Sequence, residues 1–170
     1  RTMSRGRRKK FKLRFNVKPD TVRSIISIVF LALCFIGLVS FFAPSYSINS
    51  KIQHFLKSYF GQASVLIPFI LGSFGILFFD NLNSKYKEAR IFIGLFLLLF
   101  SLSGAFHVFI NSSEAYDLAL EGKGGGLVGY KISNFLSSGI SKFGASVFLI
   151  LGVMGSLLLV FNISFGSLVN

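Results

Sequence analysis

The chain has a single cysteine in 170 residues, Cys34, and it lies inside an apolar run. That excludes a disulfide framework and a cysteine-based metal site, and leaves Cys34 as a small core or lipid-facing residue. Acidic residues are scarce too, with six Asp and Glu against 18 Lys and Arg. No apolar run holds paired carboxylates, and no Ser/His/Asp constellation or Cys/His cluster occurs, so the sequence offers no groups from which an enzyme site is assembled. His54 and His107 have no second histidine or carboxylate at metal-ligand spacing. A phosphate-binding loop needs Gly, four residues, then Gly-Lys-Ser/Thr. The one Gly-Lys pair, Gly122-Lys123, is followed by Gly124 and preceded five residues earlier by Asp117. Charged residues make up 14% of the chain, against about a quarter in soluble domains. What fills their place is apolar: 52% hydrophobic residues, including 22 Phe. One small water-soluble domain cannot hide that much apolar surface, so lipid must cover part of it.

A helix crosses the hydrocarbon layer in about 20 predominantly apolar residues. Four runs approach that length: Val22 to Ala43, Ala63 to Phe79, Ile91 to Ile110, and Gly144 to Phe161. Arg23 stands at the mouth of the first and Pro44 just past its end. Pro68 lies in the second and predicts a kink there, and Asp80 closes it. A Lys, Arg or Asp in mid-span would cost about 2.5–3.5 kcal/mol, so the exclusion of charge from all four runs is informative. Segments such as Ile93 to Phe100 do not alternate apolar with polar residues, which sets aside a membrane β-barrel. The first run is also too long for a removable signal peptide and stays in the mature protein. The expected fold class is an all-α membrane protein with four transmembrane helices, plus one or two interfacial or re-entrant amphipathic helices in the outer loops. The expected organisation is a basic tail over 1–21, a membrane domain over 22–162 and the start of a linker over 163–170.

Ten of the basic residues precede or open the first span: Arg1, Arg5, Arg7, Arg8, Lys9, Lys10, Lys12, Arg14, Lys18 and Arg23. By the positive-inside rule this end is cytoplasmic, and Lys85, Lys87 and Arg90 put the loop between spans two and three on the same side. Both termini are then cytoplasmic. The tail from Arg5 to Lys18 has the charge to contact DNA, but its position beside a span makes it first a determinant of topology and of contact with anionic lipid. Phe11, Leu13 and Phe15 among those charges suit a membrane surface equally well. Asp80, at a cytoplasmic mouth, is read as solvated or paired with Lys85 rather than as a transport residue.

Two loop segments carry helical periodicity. Ile52, Phe55, Leu56, Tyr59 and Phe60 share one helix face, and Ser50 and Gln53 have capping-box spacing. This reads as a helix lying flat at the outer interface and broken from span two by Gly61; the alternative is a first turn continuous with that span. The second segment, Gly122 to Phe143, starts with a glycine cluster and continues with Ile132, Phe135, Leu136 and Ile140 opposite Lys131, Ser133, Asn134, Ser137, Ser138 and Ser141. It is too polar for an independent span and reads as interfacial or re-entrant. Gly72 and Gly75, Ser101 and Ala105, and Gly152 and Ser156 are either close-packing pairs or ordinary membrane-helix content.

The run Gly124, Gly125, Gly126, Leu127, Val128, Gly129, then Phe135, Leu136, Gly139, Gly144 and Ala145 leading into the last span, resembles the N-terminal membrane domain of the FtsK/SpoIIIE family of DNA translocases. The likeness covers roughly Thr21 to Asn162 and includes the basic start, four spans and the longer loop before the last one. Tyr130 departs from the pattern, standing where a smaller or acidic residue is usual. The resemblance implies a membrane-anchoring and assembly domain of a hexameric, ATP-driven double-stranded DNA pump acting in chromosome segregation and cell division. It places the domain in the bacterial inner membrane, with the lipid bilayer and divisome proteins as partners. The motor, with its ATP and Mg, and its contact with DNA, would lie beyond Asn170; these residues themselves hold no cofactor. Without the resemblance, the alternative is a small transporter or channel subunit, with the Pro68 helix and the glycine-rich outer segment forming a pathway.

Overall fold

Proline and glycine punctuate the chain where its helices begin and end. In the computed structural model, which describes residues 18–79, 89–111 and 113–163, the first helix, α1, runs Pro19–Phe42. Pro19 occupies the first helical position, where its missing N–H costs nothing, and Asp20 complements the positive end of the helix dipole. The helix stops at Ala43, just before Pro44, and Asn49 Nδ2 donates to the Ala43 carbonyl at 3.0 Å across the turn. Helix α2 follows as Ser47–Phe60 and ends at Gly61, whose φ of 56° and ψ of −135° no side-chain-bearing residue adopts readily. A 3₁₀ turn, Gly61–Val65, feeds directly into α3, Leu66–Leu77. Helix α4 spans Ala89–Val108, a short α5 spans Ala115–Leu120, and α6 runs Gly126–Phe161.

The four long apolar stretches, Pro19–Phe42, Ser47–Leu77, Ala89–Val108 and Gly126–Phe161, are each long enough to cross a bilayer. One local expectation changes. Pro68 does not kink the second span; it is the third residue of α3, in the first turn, where no N–H has an intrahelical partner. The break lies earlier, at Gly61–Val65. The amphipathic segment after the glycine cluster is helical, as expected, and is set off from the last span by a break in the backbone. It is the first half of α6 and passes into the last span through non-helical geometry at Ile140 and Ser141. A straight helix of 36 residues would be about 54 Å long, well beyond a hydrocarbon core of about 30 Å. The break lets the two halves take different directions.

The helices pack as two antiparallel pairs, each zipped by small residues. In the α1/α3 pair, a Cβ on Gly37 would lie 2.9 Å from Pro68, one on Gly72 would lie 3.0 Å from Cys34 Sγ, and one on Gly75 would lie 3.0 Å from Leu31. Ser27 Oγ donates across the same seam to the Gly75 carbonyl at 2.7 Å. The α4/α6 pair follows the same rule: Gly94 faces Val160 and Ser156, Gly152 faces Ser101, and Gly104 faces Leu149. The pairs join through the tilted contact Phe74–Phe92 at 4.8 Å, while Phe30–Phe74 at 4.7 Å packs edge-on within the α1/α3 pair. The 3₁₀ turn and α3 also meet α4 in the cluster Ala63, Ile70 and Leu99. The result is inside out by the standard of a soluble protein. Ser27, Ser40, Ser64, Ser103 and Ser156 are fully buried, whereas Phe35, Phe42 and Phe143 are exposed by 69, 85 and 80%. With lipid outside, burial of large apolar groups gives little drive, and close approach of small residues takes its place.

Candidate functional site

Where α2 ends, α6 begins and the last turns of α4 pass, three stretches of backbone meet almost without side chains. Gly61 and Gly126 both have positive φ, 56° and 62°, and a Cβ on Gly126 would fall 2.6 Å from the Gly61 nitrogen. A Cβ on Gly61 would overlap the Gly124 carbonyl oxygen; one on Gly125 or Gly129 would overlap the Ser103 carbonyl oxygen. Hydrogen bonds use the closeness. The Gln62 N–H donates to the Gly124 carbonyl at 2.9 Å. The Ser103 hydroxyl donates to the Gly125 carbonyl at 2.5 Å and lies 3.4 Å from the Phe60 carbonyl. Ser103 thus ties α4 to the entry of α6 and reaches the exit of α2. Gly125 is the N-cap of α6, and its carbonyl also accepts the Gly129 N–H at 3.0 Å.

The seven residues expected to form a structural motif therefore divide. Gly124, Gly125, Gly126 and Gly129 come together at this junction. Ala145 is fully buried with Val108 and Leu149 in the α4/α6 seam. Gly139 has nothing within 4 Å of its would-be Cβ, and Gly144 meets only ordinary contacts at 3.5 Å or more. These two flank the break in α6. At that break Ser141, with φ 71° and ψ 161°, accepts the Gly144 N–H on its Oγ at 3.3 Å, so it caps the second half of the helix. Ser103 was not singled out from the sequence. The available signal was the run Ser101, Leu102, Ser103, Gly104, an island of small residues in an otherwise bulky span.

One turn from Ser103, His107 is 2% exposed, and its ring has a loose contact with the Ala115 backbone but no well-formed hydrogen bond among the described residues. An unpartnered buried polar group costs about 1–3 kcal/mol. Its ring stands edge-on to Tyr130, centroids 5.6 Å apart, and Tyr130 in turn meets Tyr116 at 5.5 Å. Tyr130, the residue that departs from the family pattern, is therefore part of the packing around His107. The Glu121–Lys123 ion pair, 2.6 Å long, is more than half exposed at both side chains and contributes little.

Of the residues assigned to topology and lipid contact, Lys18 and Arg23 lie at the other end of the bundle, Lys18 at the N-cap position of α1 without a side-chain cap bond and Arg23 exposed near its start; Arg5, Arg7, Arg8, Lys9, Lys10, Lys12 and Arg14 fall outside the described residues, as do Asp80, Lys85 and Lys87. Arg90, at the start of α4, donates to the Leu159 carbonyl at 3.3 Å, close to the negative end of α6. The antiparallel pairing and the Phe74–Phe92 contact set the starts of α1 and α4 and the ends of α3 and α6 side by side. Lys18, Arg23 and Arg90 therefore share one end, opposite the glycine junction.

Four long apolar helices, a buried interior of Ser and Gly, and a junction made of backbone define a multi-pass membrane domain. Residues 47–170 match the family described as the 4TM region of DNA translocase FtsK/SpoIIIE, and the chain belongs to that family. It is 32% identical over 155 residues to a DNA translocase FtsK of Caldanaerobacter subterraneus subsp. tengcongensis, covering 86% of this chain and 22% of that protein. It is 24% identical over 150 residues to a DNA translocase FtsK of Mycobacterium tuberculosis, covering 88% of this chain and 18% of the relative. The DNA translocase FtsK of Mycobacterium leprae is 23% identical over 145 residues, covering 85% and 17%. The chain thus spans about a fifth of the length of the curated relatives it matches. No solved structure matches it.

Proposed function

We propose that this chain is the membrane-anchoring and assembly region of an ATP-driven translocase of double-stranded DNA that serves chromosome segregation and cell division. The observation that carries the reading is the junction at Gly61, Ser103 and Gly124–Gly129, where three backbone segments lock together without a reactive group among them. Force applied to DNA by a motor must be referred to a fixed point, and interlocked backbone gives little under load. The relatives' names supply the DNA and the translocation; in this reading ATP, Mg and DNA are held by a RecA-like motor with a Gly-x-x-x-x-Gly-Lys-Ser/Thr loop outside these residues. The basic end formed by Lys18, Arg23 and Arg90 supports a bacterial cytoplasmic-membrane topology with both termini in the cytoplasm. The bilayer is the first partner, further copies of the chain in a hexamer the second, and divisome proteins the third. A transporter or channel subunit has less support, because the spans after Arg23, Arg90 and Lys142 carry no charged residue.

The test is to delete residues 18–163 from the translocase that carries them. The expected product is a soluble protein that still hydrolyses ATP in response to double-stranded DNA but no longer fractionates with membranes or gathers at the septum. A gene carrying this chain without any phosphate-binding-loop ATPase would overturn the reading.

A further inference from the structure

Tyr130, Ser133, Asn134 and Ser137 recur at i, i+3, i+4 and i+7 along the first half of α6, so they form one polar stripe. The stripe borders a half-open cavity of about 180 Å³ whose other walls are the end of α4, including His107, Ala115 at the start of α5, and Lys142, just past the break in α6. Among the described residues no carboxylate lines this cavity. Lys142 Nζ donates to the Ile110 carbonyl at 3.2 Å, which holds the ammonium at the cavity with further N–H donors to spare. The Ser133 hydroxyl donates to the Tyr130 carbonyl at 3.1 Å and would have to turn from it to donate to an occupant of the cavity. His107 is the informative member. A buried imidazole with only a loose contact to the Ala115 backbone has hydrogen-bonding capacity left for an occupant beside it.

We propose that this cavity binds a phosphate group, carried by an anionic lipid headgroup or free in solution. Phosphate wants several convergent donors around one fixed cation, and a carboxylate in the lining would repel it. The cavity supplies both conditions: a lysine held by a backbone carbonyl, and hydroxyl, amide and phenol groups on one helix face. A lipid is a natural carrier, since the neighbouring Phe135 and Phe143 are 77 and 80% exposed on a membrane-spanning helix. The break at Ile140–Ser141 acquires a purpose in this arrangement, because it brings Lys142 to the cavity at the end of the polar stripe.

The experiment uses the protein purified in a maltoside detergent, which has no phosphate of its own. Phosphatidylglycerol and inorganic phosphate are titrated separately, with retained lipid read by native mass spectrometry and the thermal midpoint followed for both. Lys142→Gln is expected to weaken binding about tenfold, the equivalent of one charge-assisted hydrogen bond. A second variant, Asn134→Leu with Ser137→Ala, removes two donors while keeping the Lys142–Ile110 contact, so it guards against a misfolded first variant. Lys131→Gln, an exposed lysine on the same helix but outside the cavity, should bind as the wild type does. A response to phosphatidylglycerol alone identifies a headgroup site, and a response to inorganic phosphate identifies a free-anion site. No response of the wild type to either ligand, or equal responses of the wild type and both cavity variants, would overturn the proposal.

Discussion

At the scale of single residues, the same amino acid has opposite meanings at positions close in sequence. Gly125 sits with its Cα against the Ser103 carbonyl, whereas Gly139 faces open space. Gly125→Ala should therefore destabilise the protein by at least the 1–3 kcal/mol or so typical of overpacking. Gly139→Ala should be neutral or gain up to about 1 kcal/mol of helix propensity. Thermal unfolding of both variants in detergent checks the pair, and equal effects would mean that the junction tolerates a methyl group. Ser103→Ala separates sterics from hydrogen bonding at the same place. Interhelical hydrogen bonds in membranes average about 0.6 kcal/mol, so its loss should be milder than that of Gly125→Ala. Sequence alone does not distinguish Gly125 from Gly139. Both stand in a glycine-rich stretch, and only the passage of α4 behind the first makes it irreplaceable.

At the scale of elements, the strongest local rule broken is at Ser141, where φ 71° and ψ 161° lie in a region that belongs to glycine. The strain, about 1–3 kcal/mol, is partly offset by the cap that Ser141 Oγ gives the Gly144 N–H. Ser141→Gly relieves the strain and loses the cap; Ser141→Ala keeps the strain and loses the cap. The expected order of thermal midpoints is therefore alanine lowest, with the glycine variant at or above the wild type. An alanine variant as stable as the glycine variant would show that the backbone straightens there. The helices themselves were legible, because four charge-free apolar runs leave no other structure for a membrane to accept. Their interruptions were not. Pro68 looked like a kink by its identity, yet the 3₁₀ turn that starts at Gly61, five residues before the first residue of α3, sets the break and leaves Pro68 where its N–H is not needed. The helix α5, Ala115–Leu120, carried no periodicity long enough to recognise. The seams were half visible: Gly72, Gly75, Gly152 and Ser156 stood out by spacing, while Gly37, Gly94 and Gly104, which line the same seams, were single glycines without a pattern.

At the scale of the whole molecule, the antiparallel pairs turn a linear charge pattern into a polar body with two unlike ends. Lys18, Arg23 and Arg90 stand at one end, while Ser113, the short α5 and the glycine junction stand at the other. Each basic residue near an anionic leaflet gains about 1 kcal/mol, and the basic residues of the tail before Lys18 add to the same side by sequence position. The sum is large compared with the opposite end, where Lys51, Lys57, Lys123, Lys131 and Lys142 are interspersed with Glu114, Asp117 and Glu121. An orientation that follows this bias of several charges should survive the loss of any one. Cysteine placed at Ala89 or at Ser113, both exposed, reports the two ends separately in a Cys34→Ser background. With an impermeant thiol reagent, Ser113→Cys should label in intact cells and Ala89→Cys only after the membrane is permeabilised. Adding Lys18→Gln to either variant should leave the pattern unchanged. The reverse pattern would invert the bundle, and labelling of both sites from outside would mean that α4 does not cross the membrane at all.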